Sequence, residues 1–156
     1  MTFQLVEPIL LIGLGGVGAR LAEKAKKSLN SDCLLISHDQ KDLTIENSIK
    51  ISTKSVVNPS THLIRGSTLE TSDEIKKNIA NYSTVILMSN LAGKAGTGIG
   101  PIVSRICKQG QKNLLSFVVM PFKFEKERIF QSGIALKRIK QDSQCTIVVD
   151  NDALLD

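Results

Sequence analysis

Two glycine-rich turns carry most of the chemistry available to this sequence: Gly13-Leu14-Gly15-Gly16-Val17-Gly18 and Ala92-Gly93-Lys94-Ala95-Gly96-Thr97-Gly98. They stand about eighty residues apart, and each follows an apolar run and leads into a helical pattern. Glycine takes the Cβ out of the way of an approaching ligand. A helix start leaves amide hydrogens unpaired and partially positive. The chemistry is therefore the binding of an oxygen-rich anion by main-chain donors. Two such turns in one small domain predict a single polyphosphate gripped from two sides.

Other reactive groups offer less. Cys33, Cys107 and Cys145 are odd in number and lie in apolar stretches without a C-x-x-C spacing, so they read as buried thiols of a reducing compartment. His38 and His62 have no sequence neighbours that suggest catalysis or metal binding and read as polar surface. The 20 Lys plus Arg against 15 Asp plus Glu give a formal charge of +5, spread over helix-period segments rather than gathered in one patch. With no Trp and a single Tyr there is no stacking platform for single strands, and nucleic acid is excluded as a partner. The start, Met1 to Pro8, lacks a basic region followed by a long apolar run, and no stretch reaches membrane-spanning length. The expectation is a cytoplasmic protein with no membrane span.

At 156 residues and 42% hydrophobic, the chain is expected to build one core, with residues 1–156 as a single domain. Apolar runs at Ile9–Ile12, Cys33–Ser37, Thr84–Met88, Leu114–Met120 and Thr146–Asp150 read as strands, the last one buried. Helical periods occupy Val17–Leu29, Thr71 to about Ala80, Ile99–Gln109 with Pro101 in its first turn, and Glu127–Gln141. Asp42–Ser48 is assigned a short helix, Ile51 starts an edge-like segment, and the polar stretch punctuated by Asn58-Pro59 and Gly66 is left without core. Short Val/Ile/Leu runs alternating with helices predict an α/β fold, a doubly wound three-layer sandwich with a mostly parallel, Rossmann-like sheet. In such a sheet ligands sit beyond the carboxyl ends of the strands, where both glycine turns fall.

The first turn alone leaves several ligands open. G-x-G-x-x-G with Asp39 closing the second strand satisfies the dinucleotide fingerprint, so an NAD(P)-, FAD- or ATP-binding Rossmann enzyme, or an adenylating enzyme of the E1-like type, fits residues 9–39. The remainder of the chain is more specific. The second turn, continued by Gly100-Pro101, resembles the glycine-rich signature of the FtsZ/tubulin superfamily. Val118-Val119-Met120-Pro121-Phe122-Lys123-Phe124-Glu125 is similar to that family's strand and loop ending in P-F-x-F-E. Ile147-Val148-Val149-Asp150-Asn151-Asp152-Ala153-Leu154-Leu155 is similar to its I-V-I-x-N-D-x-L-L.

The resemblance implies GTP or GDP as ligand, with Mg²⁺ as an accompanying ion. It places Gly15, Gly16 and Gly18 in the first phosphate loop and Gly93, Lys94, Gly96, Thr97 and Gly98 in the signature loop. It puts Asp39 near phosphates and metal, Glu125 at the ribose and Asn151 at the ribose-guanine end. No catalytic residue and no metal-ligand set is assigned. Arg20 stands where relatives carry Asn, Lys94 and Ala95 where they carry Gly and Thr, and Lys54-Ser55-Val56-Val57-Asn58-Pro59 where they have a glycine-rich third loop. Lys94 has two open roles, a point charge against phosphate or a solvated side chain.

In relatives a central helix and a second domain follow this region, and an acidic loop of that domain completes the hydrolytic site of the next subunit. No residue here matches that loop. The expectation is a reduced FtsZ/tubulin-like GTP-binding protein of cell division or cytoskeletal filaments. Its GTP hydrolysis would be weak or partner-dependent, with self-association or a full-length FtsZ-like protein as partner. A non-nucleotide adaptor that retains the fold is the other alternative.

Overall fold

Parallel strands with both faces covered must be apolar along their whole length, and the three central runs here meet that demand. The computed structural model describes residues 4–54 and 56–154; Met1–Phe3, Ser55 of the third loop and Leu155 of the last motif lie outside the described residues. The strands are β1 (Ile9–Leu14), β2 (Asp32–Ser37), β3 (Ser48–Lys50), β4 (Thr84–Asn90), β5 (Asn113–Met120) and β6 (Cys145–Asp150). They form one sheet in the order β3-β2-β1-β4-β5-β6, every pairing parallel. From β1 the chain builds outward through β2 to β3, then returns to the far side of β1 and builds through β4 to β6. The order therefore reverses between β1 and β4, the place where open sheets of this kind leave a crevice.

Side chains alternate across the sheet. Leu10, Ile12 and Leu14 of β1 join Leu34, Ile36, Val85 and Leu87 in the larger core, under α2 (Thr61–Glu70), α3 (Ser72–Ile79) and α4 (Lys94–Gln109). Leu11, Cys33, Leu35 and Ile86 face the other way, against Ala19 and Ala22 of α1 (Gly15–Leu29). Leu10, Leu11, Ile12, Leu34, Leu35 and Ile36 have no exposed surface. Each such aliphatic side chain contributes about 1.5–3 kcal/mol relative to an exposed one, so the central strands are the rigid floor of whatever lies above them. A third cluster, Leu91, Val118, Ala135 and Ile139, docks α5 (Lys126–Asp142) beside α4.

Several expectations change. The helix assigned to Asp42–Ser48 is a 3₁₀ turn at Gln40–Asp42, and the chain then extends into β3. The polar stretch after Pro59 is helix α2, capped by Ser60, whose hydroxyl accepts from the Leu63 amide at 3.1 Å; it buries Ile64. The fourth helix begins at Lys94 rather than Ile99, so Pro101 lies inside it and the signature turn is its first two turns. The last strand is an edge rather than a buried one, with Ile147 45% exposed. Among the described residues only β5 pairs with it. No helix among the described residues is long and apolar enough to cross a membrane.

Candidate functional site

The carboxyl end of β1 runs directly into α1 and that of β4 reaches α4 after Leu91, Ala92 and Gly93, and both helices begin without the usual terminal chemistry. The Ncap positions of α1 and α4 are Leu14 and Gly93; neither offers a side-chain cap, and neither first turn holds an acid. The other helices on the sheet differ: α2 has its Ser60 cap and α3 has Asp73 and Glu74 in its first turn. The leading amides of α1 and α4 are left for an outside acceptor. Their aligned dipoles favour a negative one.

The two helix starts meet. Gly15 has φ +67°, a left-handed conformation that side chains resist, and a Cβ built on it would stand 2.8 Å from the Ala95 Cβ. One cavity of about 240 Å³ lies over this contact, bounded by Gly15, Gly16 and Val17 from α1 and by Gly93, Lys94, Ala95 and Gly96 from the start of α4. Asn90, His38, Asp42 and Arg20 complete its walls. The hollow between the turns is open.

The glycines divide by task. Gly15, Gly16, Gly93 and Gly96 line the cavity. Gly18 instead lets α1 touch the main chain of β4, since a Cβ there would collide with the Met88 carbonyl. Gly98 seats α4 on α2, where a Cβ would stand 2.9 Å from Ile64 Cγ2. Gly96 does both, because its missing Cβ would also press on Ser89 Oγ at 2.7 Å and on the Asn90 carbonyl. Thr97 turns away from the cavity: its hydroxyl donates to the carbonyls of Gly93 at 3.1 Å and Lys94 at 3.3 Å, and its amide to Gly93 at 3.2 Å.

Lys94 resolves its two open roles in a third way. Its ammonium donates to Asn58 Oδ1 at 2.6 Å and to the Pro59 carbonyl at 3.0 Å, tying the third loop to the start of α4. That loop obtains its sharp bends without glycine, through Lys54 and Asn58, both at φ +53°. Asparagine is among the residues that tolerate this region best.

Asp39 is not among the residues that line the cavity: it caps its own 3₁₀ turn by accepting from the Lys41 amide at 3.0 Å. Asp42 is the acid beside the glycines: its Oδ1 lies 3.0 Å from where a Gly16 Cβ would stand, and its Oδ2 accepts the Ser37 hydroxyl at 2.7 Å. His38 also faces the cavity, and its Nδ1 is buried without a hydrogen-bond partner among the described residues. Sequence reading gave His38 to the polar surface, where the structure half-buries it, and took Asp42 only as the start of a short helix. The signal was their position, since parallel pairing of β1 with β2 brings the residues after Ser37 alongside the first turn.

Glu125 and Asn151 lie at the ends of the neighbouring strands. Glu125 Oε2 accepts from the Phe122 amide at 2.8 Å, and Oε1 stands 3.8 Å from Arg128 Nη1, which itself donates to the Ala92 carbonyl at 2.7 Å. The Glu125 turn is thus coupled to the signature turn through Arg128. Asn151 opens a 3₁₀ turn after β6, half-buried, and its neighbour Asp152 accepts from the Lys123 amide at 3.1 Å. These two residues share a second loop cluster next to the glycine cavity rather than within it.

Comparison with known proteins bears on the family and the fold. Residues 60–156 match the model of the Tubulin/FtsZ family, GTPase domain. Cell division protein FtsZ 2 of Halobacterium salinarum is 26% identical over 95% of this chain and 40% of its own length. FtsZ of Helicobacter pylori (strain J99) is 34% identical over 55% of this chain and 23% of its own. An empty FtsZ dimer structure from M. jannaschii superposes with a TM-score of 0.84 at 26% identity, covering 94% of this chain and 46% of that one. CetZ from Methanosaeta thermophila shares the fold, with a TM-score of 0.78 at 18% identity. The chain spans less than half the length of these relatives.

Proposed function

The chain belongs to the Tubulin/FtsZ family, and from that premise we propose that it binds GTP or GDP in the cavity between α1 and α4. One observation carries the reading: two uncapped helix starts converge on a single open hollow, in contact through Gly15 and Ala95. Main-chain amides of Gly15, Gly16, Gly93 and Gly96 hold the phosphates, with Lys94 shaping the rim. Glu125 and Asn151 take the ribose and guanine end. Gly18, Thr97 and Gly98 support the phosphate loops through helix and strand packing. A nucleotide's own charge supplies what the helix starts lack, and the protein contributes preorganised donors.

Hydrolysis needs a positioned water as well as charge stabilisation, and these residues supply the second. We assign the chain nucleotide binding with weak or partner-dependent GTP turnover, in cell division or cytoskeletal filament biology. Self-association or an FtsZ-like protein is the partner class this reading names. Calorimetric titration with GTP, GDP, ATP and NAD decides the matter. Guanine-selective binding is expected. Preference for NAD or ATP would transfer the protein to the Rossmann enzymes, and no binding at millimolar nucleotide would leave a fold retained without its ligand. The anchored Lys94 and inward Thr97 hydroxyl favour that last reading over the enzyme one.

A further inference from the structure

A groove of about 620 Å³ runs along α1 and shares only Arg20 with the glycine cavity. Its cations are Arg20, Lys24, Lys26 and Lys27, all exposed, and its one carboxylate is Glu23. Ile45, from the connection between β2 and β3, also lines it, half-buried against the core cluster of Ala19 and Ala22. Lys26 and Lys27 lie in the last turn of α1, where the helix dipole favours cations. That accounts for neither Arg20 nor Lys24, which stand further back along the helix.

Among the described residues none of these four cations pairs with a carboxylate. Glu23, on the same helix face, accepts instead from the Thr44 hydroxyl of the β2–β3 connection. The buried Ser31 hydroxyl, just past the end of α1 in the same groove, also lacks a partner among the described residues. Arg20, Lys24 and Lys27 stand at i, i+4 and i+7, one face of the helix, with rises of about 6 and 4.5 Å between them. Alternate residues of an extended chain lie about 6.6 Å apart on one side, and flexible lysine stems take up the difference. Acids at alternate positions of such a segment match the three cations, and the residues between them face the other way, where Ile45 offers apolar surface. A nucleic acid fits less well, because Glu23 stands among the cations and the chain has no Trp and one Tyr to stack bases.

We propose that the α1 groove docks an extended acidic segment of a partner protein, its alternate acids paired with Arg20, Lys24 and Lys27 and the apolar residues between them set against Ile45. Charge complementarity selects this occupant: four unpaired cations line the groove, and its only acid is engaged by Thr44. Charge steers the encounter, and the alternation fixes the register. The proposal stands whether or not a nucleotide occupies the cavity between α1 and α4.

The test is fluorescence anisotropy with two labelled peptides of one composition, the first alternating Glu with Leu and the second carrying its Glu in a single run. Wild type is compared with Lys24→Glu combined with Lys27→Glu, and with Lys76→Glu combined with Lys77→Glu, an equal charge change at exposed positions of α3, after thermal melts establish that all are folded. Arg20 is left intact because it also lines the glycine cavity. Wild type should bind the alternating peptide at about 50 mM salt, less tightly at about 300 mM, and severalfold better than the other peptide. The α1 variant should lose about tenfold or more and the α3 variant little. Equal losses in the two variants, equal affinity for the two peptides, or no binding at low salt overturns the proposal. Tighter binding of oligodeoxythymidylate gives the groove to nucleic acid, and a wild-type dimer in ultracentrifugation that the α1 variant abolishes gives it to a second copy; either result also overturns it. Should a variant fail to fold, the wild-type titrations with the two peptides still decide.

Discussion

Gly15 and Ala95 touch across the crevice, from helices that begin on adjacent strands: a Cβ added to Gly15 would stand 2.8 Å from the Ala95 Cβ. The closeness explains why the first position of α1 is glycine twice over, by sterics and by its φ of +67°. Gly15→Ala should lower stability by about 1–2 kcal/mol from the left-handed backbone alone. Urea unfolding monitored by circular dichroism reads it, and an unchanged midpoint would contradict the geometry of this turn.

Gly96→Val is a fold mutation before it is a binding mutation. The added side chain has to displace Ser89 Oγ and the Asn90 carbonyl, which lie within the sheet floor. A loss of at least about 2 kcal/mol is expected, the range of overpacking in a rigid core. Gly93→Ala is the cleaner probe of the cavity. Its φ of −98° suits alanine and its new methyl would meet the Asn90 carbonyl at 3.6 Å. It should leave the melting temperature nearly unchanged while weakening GTP binding severalfold in the same titration cell.

Lys94→Ala should release the third loop. The two hydrogen bonds from its ammonium to Asn58 and Pro59 are the link from this helix start to that loop. Native-state hydrogen exchange should quicken at residues 56–60 and stay slow in β1 and β4, where opening costs the global stability. Equal acceleration throughout, or none, would show that the tie is not what orders the loop.

Stability should decline in alkali above about pH 9. Burial pushes the Cys107 thiol up to about 12, with a smaller opposing pull from Lys112. The hydrogen bond to Asp32 pushes the Tyr82 hydroxyl to about 12 as well. Both folded values lie above the ordinary ones of 9.0 and 10.0, so the folded chain holds protons that the unfolded chain releases. The stabilisation is complete below those ordinary values and is lost as pH rises through the folded ones. Urea midpoints across pH 8 to 12 should fall for wild type and fall less steeply for Cys107→Ala combined with Tyr82→Phe.

The strands and the two helix-opening turns were readable because each left a local pattern: β1 is six apolar or glycine residues in a row, and α1 keeps an apolar stripe from Val17 to Ala25. Helix α2 was not, because it buries Ser67 and Thr68 beside Ile64 and so lacks an apolar stripe. Its Ser60 cap was the available clue. The start of α4 was misplaced because glycine and threonine are weak helix formers; packing of Gly96 and Gly98 against β4 and α2 holds the turn where propensity would not. The exposure of β6 depends on which strand ends the sheet, a matter of topology rather than of its Val and Ile. Asp39 and Asp42 differ by which way a three-residue turn aims them, which no spacing encodes.

The grip we propose, assembled from amide hydrogens, has no side chain for the usual survey to delete. Alanine at Gly15, Gly93 or Gly96 removes no donor, so any loss it causes reports crowding or backbone strain rather than the amide itself. Replacing single peptide links by esters would remove the donors one at a time. Because main-chain donors are common to every residue type, the side chains around them are free to drift, and the fold persists at about a quarter of shared identity.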